Sequence, residues 1–143
     1  MNIVVGHDDA IIAWLADKFG VHVIQTPRQV LGIVDNSGVL RGAYVITWHN
    51  DTTAEFHLYG TLSNDTMKQM FSAVFGPWGV QRLEIRTSKR NKAVKRAAPK
   101  YGWKFEGVAR SFYGTGHDAL VYAMTPEQCR WIREQPIQIP EEA

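Results

Sequence analysis

The sequence holds one cysteine, Cys129, in 143 residues. That excludes an internal disulfide and a thiolate zinc site, and it fits a reducing compartment. No apolar run approaches the roughly 18 residues that cross a bilayer. The first residues, Met1 to Asp9, lack the basic segment of a secretory signal. A cytoplasmic protein with no membrane partner is expected. Charge of one sign is also scarce overall, with 16 Lys and Arg against 14 Asp and Glu, a net of +2. That balance alone argues neither for nor against nucleic acid. There is no internal repeat, no low-complexity stretch, and no His, Cys, Asp and Glu set at metal-ligand spacing, so no metal is expected.

What is present is ordinary globular composition, 45% hydrophobic and 21% charged, which excludes disorder, collagen and coiled coil. The length suits one domain, able to bury about two thirds of its unfolded surface. We assign residues 1–135 to that domain and 136–143 to a loose tail.

Residues 8–19 place Ile11, Trp14, Leu15 and Phe19 near i, i+3, i+4 spacing, with Asp8 and Asp9 in the first turn and Gly20 beyond the end. This predicts an amphipathic helix with both ends marked. Runs 29–34 and 40–48 flank Asp35-Asn36-Ser37-Gly38 and read as a hairpin. Run 53–59 extends it to a meander. Met67, Met70, Phe71, Val74 and Phe75 recur at helical spacing over 66–75, stopped by Gly76-Pro77. Run 80–86 alternates as a strand, and a basic helix is predicted over 88–100. Two more strands, 105–113 and 119–124, surround Gly114 to His117, and Thr125-Pro126 starts a last short helix. Helices interleaved with a mostly antiparallel sheet predict an α/β (α+β) domain with helices on both faces.

From Leu83 to Asn91, then from Lys100 through Gly102-Trp103-Lys104-Phe105-Glu106-Gly107 to Arg110, the sequence resembles the GNAT superfamily of N-acetyltransferases. It is similar to that family's strand, its asparagine before the next helix, and its "G-F-x-x-E-G-x-x-R" start of the sixth strand. Residues 118–124 resemble the seventh strand. The ending Glu127 to Ile132 is similar to compact GNAT-like proteins of bacteria and bacteriophages. The resemblance implies a mixed, mostly antiparallel sheet of six or seven strands and acetyl-CoA as co-substrate. It also implies transfer of an acetyl group to a primary amine, on a small molecule or a protein, by direct attack.

Two departures accompany it. The family's "Q/R-x-x-G-x-G/A" pyrophosphate loop is replaced by Gly60-Thr61-Leu62-Ser63-Asn64-Asp65-Thr66. A helix N-terminus still offers N–H groups to phosphate, and Ser63, Asn64 and Thr66 carry side-chain donors. Asp65 opposes a diphosphate, and capping alone also explains these residues. At Ala98 many members place the tyrosine that protonates the departing thiolate. Tyr101, 300° further round the helix, is expected to point elsewhere.

By resemblance, Leu58, Tyr59 and Gly60 hold the pantetheine arm through backbone groups, and Thr61 belongs to the phosphate loop. Lys89, Arg90 or Lys95 is expected to meet the phosphates, and Asn91 to hydrogen-bond the arm. The base candidates are Glu55 and His57, which alternate onto one strand face with Tyr59. An imidazole titrates near the required range without help, whereas a carboxylate needs burial. Each also reads as a solvated or hydrogen-bonded strand residue. His49 and His117 are expected at the surface in turns. Arg86, Lys89, Arg90, Lys92, Lys95, Arg96 and Lys100 run without an intervening acid. This suits a cofactor, a solvated face or, less favoured, nucleic acid. The five tryptophans scatter as core residues do. The alternative to an enzyme is a catalytically inactive GNAT-shaped structural or interaction protein, and a homodimer is compatible with either.

Overall fold

The computed structural model describes residues 1–23, 28–132 and 139–140. Most of the expected tail, 136–143, therefore lies outside the described residues. The chain runs β1 (Asn2–Val4), α1 (Asp8–Phe19), β2 (Arg28–Val34), β3 (Leu40–Trp48), β4 (Thr53–Gly60), α2 (Asn64–Phe75), β5 (Arg82–Ser88), α3 (Lys92–Lys100), β6 (Lys104–Ala109) and β7 (Ala119–Met124). These strands form one seven-stranded sheet in the order β1-β2-β3-β4-β5-β7-β6. All neighbours are antiparallel except β4 and β5. A parallel pair needs a crossover, and α2 supplies it.

The two faces are covered by different helices. On one, α1 lays Ile11 and Leu15 on Val30, Ala43 and Val45. Its end is set by Gly20 at φ 65°, whose N–H reaches the Ala16 carbonyl, a left-handed cap that glycine adopts without penalty. On the other, Met67, Met70, Phe71 and Val74 of α2 pack with Ala98 of α3 on Leu31, Ile33, Tyr44, Ile46 and Phe56. Helices on both faces were expected, and the structure has them. Among the described residues no helix is long and apolar enough to cross a membrane.

Several boundaries differ from the sequence pattern, each for a local reason. The basic helix starts at Lys92 rather than Ser88 because Asn91 caps it, its Oδ1 accepting from Val94 N–H at 3.2 Å. β6 ends at Ala109 rather than Tyr113. There Ser111 N–H turns to Asp118 and Tyr113 N–H to the His117 carbonyl, closing a compact loop. The last helix is instead two 3-10 turns, Pro126–Gln128 and Arg130–Ile132, separated by Cys129 in extended geometry.

One close approach shapes the end of β4. Gly42 and Gly60 are register partners, and a Cβ on Gly42 would sit 2.6 Å from the Tyr59 carbonyl. Gly60 has φ +89°, and a Cβ there would collide with the Arg41 carbonyl. Gly60→Ala is therefore expected to cost about 1–3 kcal/mol, read as a lower urea midpoint at unchanged slope. A midpoint equal to wild type would contradict this strain.

Candidate functional site

β4 and β5 pair over three positions only: Thr53 with Arg82, Ala54 with Leu83, and Glu55 with Glu84. Beyond them β4 continues to Gly60 and β5 to Ser88 without pairing, so the strands splay. The splay opens a cavity of about 420 Å³, within the usual range for small-molecule sites. Its strand walls carry His57, Leu58 and Tyr59 on one side and Ile85 to Thr87 on the other; Val94, Ala97 and Ala98 of α3 make an apolar flank. Among the described residues no strand pairs with this edge of β4 beyond Glu55, so its outward N–H and C=O groups face the splay.

At the bottom of the splay lies a charged cluster. Glu55 and Glu84, neighbours in register, are 5% and 6% exposed. Buried carboxylates persist only when paired, and both are. Glu55 Oε2 lies 2.8 Å from His57 Nε2, and Oε1 lies 3.0 Å from His49 Nε2 and 3.6 Å from Arg86 Nε. Glu84 accepts from Arg82 Nε at 3.1 Å and from Arg86 at 3.2 and 3.3 Å. Arg82 also makes a bidentate pair with Glu106 at 2.5 and 3.0 Å, tying β6 to β5. Burial pushes the Glu55 carboxyl up, but the hydrogen bonds and charges of His57 and then His49 outweigh it and hold it below its ordinary value. Glu55 is thus an anion at neutral pH.

The expected site residues divide into two groups. Glu55 and His57 are brought together. Leu58, Tyr59 and Asn91 line the cavity, whereas Gly60, Thr61, Ser63, Asn64, Thr66, Lys89 and Arg90 are not part of its wall. Thr61 N–H is bonded to the Arg41 carbonyl. Ser63 caps α2, its Oγ accepting from Thr66 N–H at 3.2 Å. Thr66 is fully buried, its hydroxyl 2.8 Å from Ser63 Oγ and 3.4 Å from Tyr44. Its side chain therefore faces the core rather than the helix mouth. Asn91 spends its Oδ1 on Val94, so toward a ligand it offers the N–H donors of its amide. Lys89 and Arg90 stand exposed in the turn before α3.

Three residues were missed or misplaced by sequence reasoning. Tyr101 lines the cavity after all: a 300° step falls only 60° short of a full turn, so positions three apart share a face. Its carbonyl accepts from Trp131 Nε1 at 2.9 Å, and the two rings stack with centroids 5.8 Å apart. His49 sits in a turn as expected, yet bonds Glu55. The structure shows why: His49 N–H pairs with the Thr53 carbonyl and Thr47 with Glu55, which puts His49 diagonally beside Glu55 on one face. Tyr113 reaches the cavity from the β6–β7 loop, donating to the Arg86 carbonyl at 3.0 Å. Burial, then the Glu55 charge, raises the phenols of both Tyr113 and Tyr59, which keeps them protonated as donors. Among the described residues no group of three or more His, Cys, Asp and Glu is arranged to hold a metal ion.

No protein-family model matches the chain, and no curated protein sequence matches it. Solved structures do. A GCN5-related N-acetyltransferase from Brucella melitensis superposes with TM-score 0.62 at 20% identity, over 71% of this chain and 52% of that one. A GNAT family acetyltransferase from Elizabethkingia anophelis, solved with acetyl-CoA bound, gives 0.59 at 14% identity, over 70% and 77%. A mutant spermidine N-acetyltransferase from Vibrio cholerae gives 0.64 at 13%, over 84% and 77%. The chain spans about half the length of the Brucella protein. Together with the splay between β4 and β5, these likenesses define the class: this is a GNAT-like α/β fold.

Proposed function

We propose that the protein transfers an acetyl group from acetyl-CoA to a primary amine by direct attack. The observation that supports this best is the splayed β4–β5 cleft with an imidazole–carboxylate pair at its base. The chemistry of the walls suits the thioester arm. Open β4 backbone at Leu58 and Tyr59 can pair with the arm's amides, and Val94, Ala97 and Ala98 offer apolar contact. Lys89 and Arg90, before a helix with no acid in its first turn, are suited to the phosphates, as are the first N–H groups of α2.

The roles follow from the hydrogen bonds. Glu55, an anion held on both oxygens, fixes His57 with Nε2–H directed at it, leaving Nδ1 as the basic nitrogen. His57 takes a proton from the substrate ammonium. The amine nitrogen then bonds to the thioester carbonyl carbon, the C–S bond breaks, and the thiolate leaves with a proton from the attacking nitrogen. Tyr101, which lines the same cavity, is the phenol available to donate to that sulfur, since Tyr113 gives its O–H to the Arg86 carbonyl. The sum is amide, free thiol and one proton released.

The test is free-thiol release from acetyl-CoA with a panel of primary amines. Amine-dependent release is expected; its absence with every amine would overturn the enzymatic reading. A non-catalytic GNAT-shaped interaction protein is the second reading, favoured by the inward Thr66 hydroxyl and by Asp65 in the first turn of α2.

A further inference from the structure

An acceptor amine reaches His57 from the sheet face that carries α1, since Glu55, His57 and Tyr59 alternate onto that face. His57 shares the cavity wall with Tyr59 and Tyr113, and each of these touches a further aromatic ring from a separate element. On one side Tyr59 lies 6.0 Å, centroid to centroid, from Phe19 at the end of α1, and Phe19 lies 5.4 Å from Trp14. On the other, Phe112 and Tyr113 of the β6–β7 loop meet edge-to-face at 4.9 Å. Phe112 covers the Arg86 guanidinium at 5.3 Å, and Arg86 in turn touches Glu55. Tyr59 and Tyr113 both line the cavity. Yet Phe19 is 40% exposed, and Phe112 and Tyr113 are each 47% exposed. Half-exposed aromatic rings from three elements, linked to His57 through Tyr59 and through Arg86 and Glu55, offer a surface that a flat ligand can cover.

The charges on this face narrow the ligand further. Each carboxylate here is already held by cations of the chain: Glu55 by His57, His49 and Arg86, Glu84 by Arg82 and Arg86, and Glu106 by Arg82. None of these three carboxylates is left to anchor the second ammonium of a polyamine. Arg82 and Arg86 are equally committed, so neither is left for a substrate carboxylate. Arg28, whose Nε is buried without a partner, stands across Thr47 from Glu55 in register. That is two strand spacings, about 9–10 Å between the backbones, and phenylalanine in the comparison below tests whether it takes a carboxylate.

Resting on the acetyltransferase reading, we propose that the acceptor is an arylalkylamine. Its primary amine meets His57 and its planar ring lies between the Tyr59–Phe19 and Tyr113–Phe112 pairs. A flat group fills such a slot with stacked and edge contacts, and its single ammonium, once deprotonated by His57, leaves no charge to satisfy.

The experiment compares phenethylamine, butylamine, spermidine and phenylalanine as acceptors for wild type, Phe19→Ala and Phe112→Ala. For wild type, kcat/KM for phenethylamine is expected to exceed that for each of the others at least tenfold. In either Phe variant the phenethylamine-to-butylamine ratio is expected to fall toward one. A ring that only supports the fold would lower both rates together and keep the ratio, which would overturn the proposal. So would spermidine, butylamine or phenylalanine matching phenethylamine. Should no amine be acetylated, the transferase reading fails, and calorimetric binding of the same four amines still decides this one. Phenethylamine binding that is tighter than the others and weakened in Phe112→Ala supports the slot; equal or absent binding overturns it.

Discussion

His57→Gln is expected to lower kcat/KM by about 10²–10⁴-fold, the usual contribution of a positioned general base, with little change in unfolding midpoint. His57 is half-buried and Gln keeps a donor for Glu55 Oε2, so the fold loses little. Glu55→Gln is expected to be nearly as damaging through a different route. The amide can place an N–H where a carboxylate oxygen was, so His57 Nε2 must accept and its proton moves to Nδ1, the face that should be basic. The two variants separate the roles through the pH profile of kcat/KM. An acidic limb is expected to survive in Glu55→Gln and to vanish in His57→Gln. The opposite pattern, a limb lost only in Glu55→Gln, would make the carboxylate the base.

Arg86→Ala is expected to destabilise the protein by about 3–5 kcal/mol at neutral pH, the range for removing one partner of a buried ion pair. Arg86 is the cation shared by the two carboxylates that β4 and β5 place side by side. Without it Glu84 keeps Arg82 alone, while Glu55 keeps its two imidazoles, and the like charges face each other. The sign of the pH dependence follows. In wild type the Glu55 carboxyl is held below its ordinary 4.5, so its contribution is present above that value and is lost as pH falls through the lower, folded one. In Arg86→Ala the buried carboxylates gain by protonation, so the gap between variant and wild type should narrow on acidification. Urea unfolding at pH 7 and pH 5 measures both. A difference under about 1 kcal/mol at pH 7 would show that Arg86 is a bystander.

Much of this was legible in the sequence, and the limits are physical. α1 and α2 could be read from apolar spacing and caps, because the helical period and the Ser63 and Gly20 signals are local. The pairing of β4 with β5 and the insertion of β7 beside β5 are long-range, and strand alternation carries no information about which strands meet. They were accessible only through the resemblance at Leu83 to Arg110. The Glu55–His57 pair was visible as period-two alternation. Its partners were less so: Arg86 looked like part of a basic run, because nothing local says that two acids would be buried beside it. Tyr113 was read as the end of a strand, because the loop that turns it inward depends on Asp118 bonding Ser111 N–H. The phosphate loop remains where sequence and geometry pull apart, since Thr66 serves the core while the α2 N-terminus keeps its dipole.

Calorimetric titration of acetyl-CoA into wild type and Ala97→Trp tests the central claim most directly, that the β4–β5 splay is a thioester site. Ala97 is half-buried on the α3 flank of the cavity, where an indole fills the space without entering the core. Saturable one-to-one binding is expected in wild type, with a thermal shift that grows with ligand concentration, and both should be lost in a folded Ala97→Trp. No heat and no shift with wild type at about millimolar acetyl-CoA, where even a weak site responds, would contradict the account.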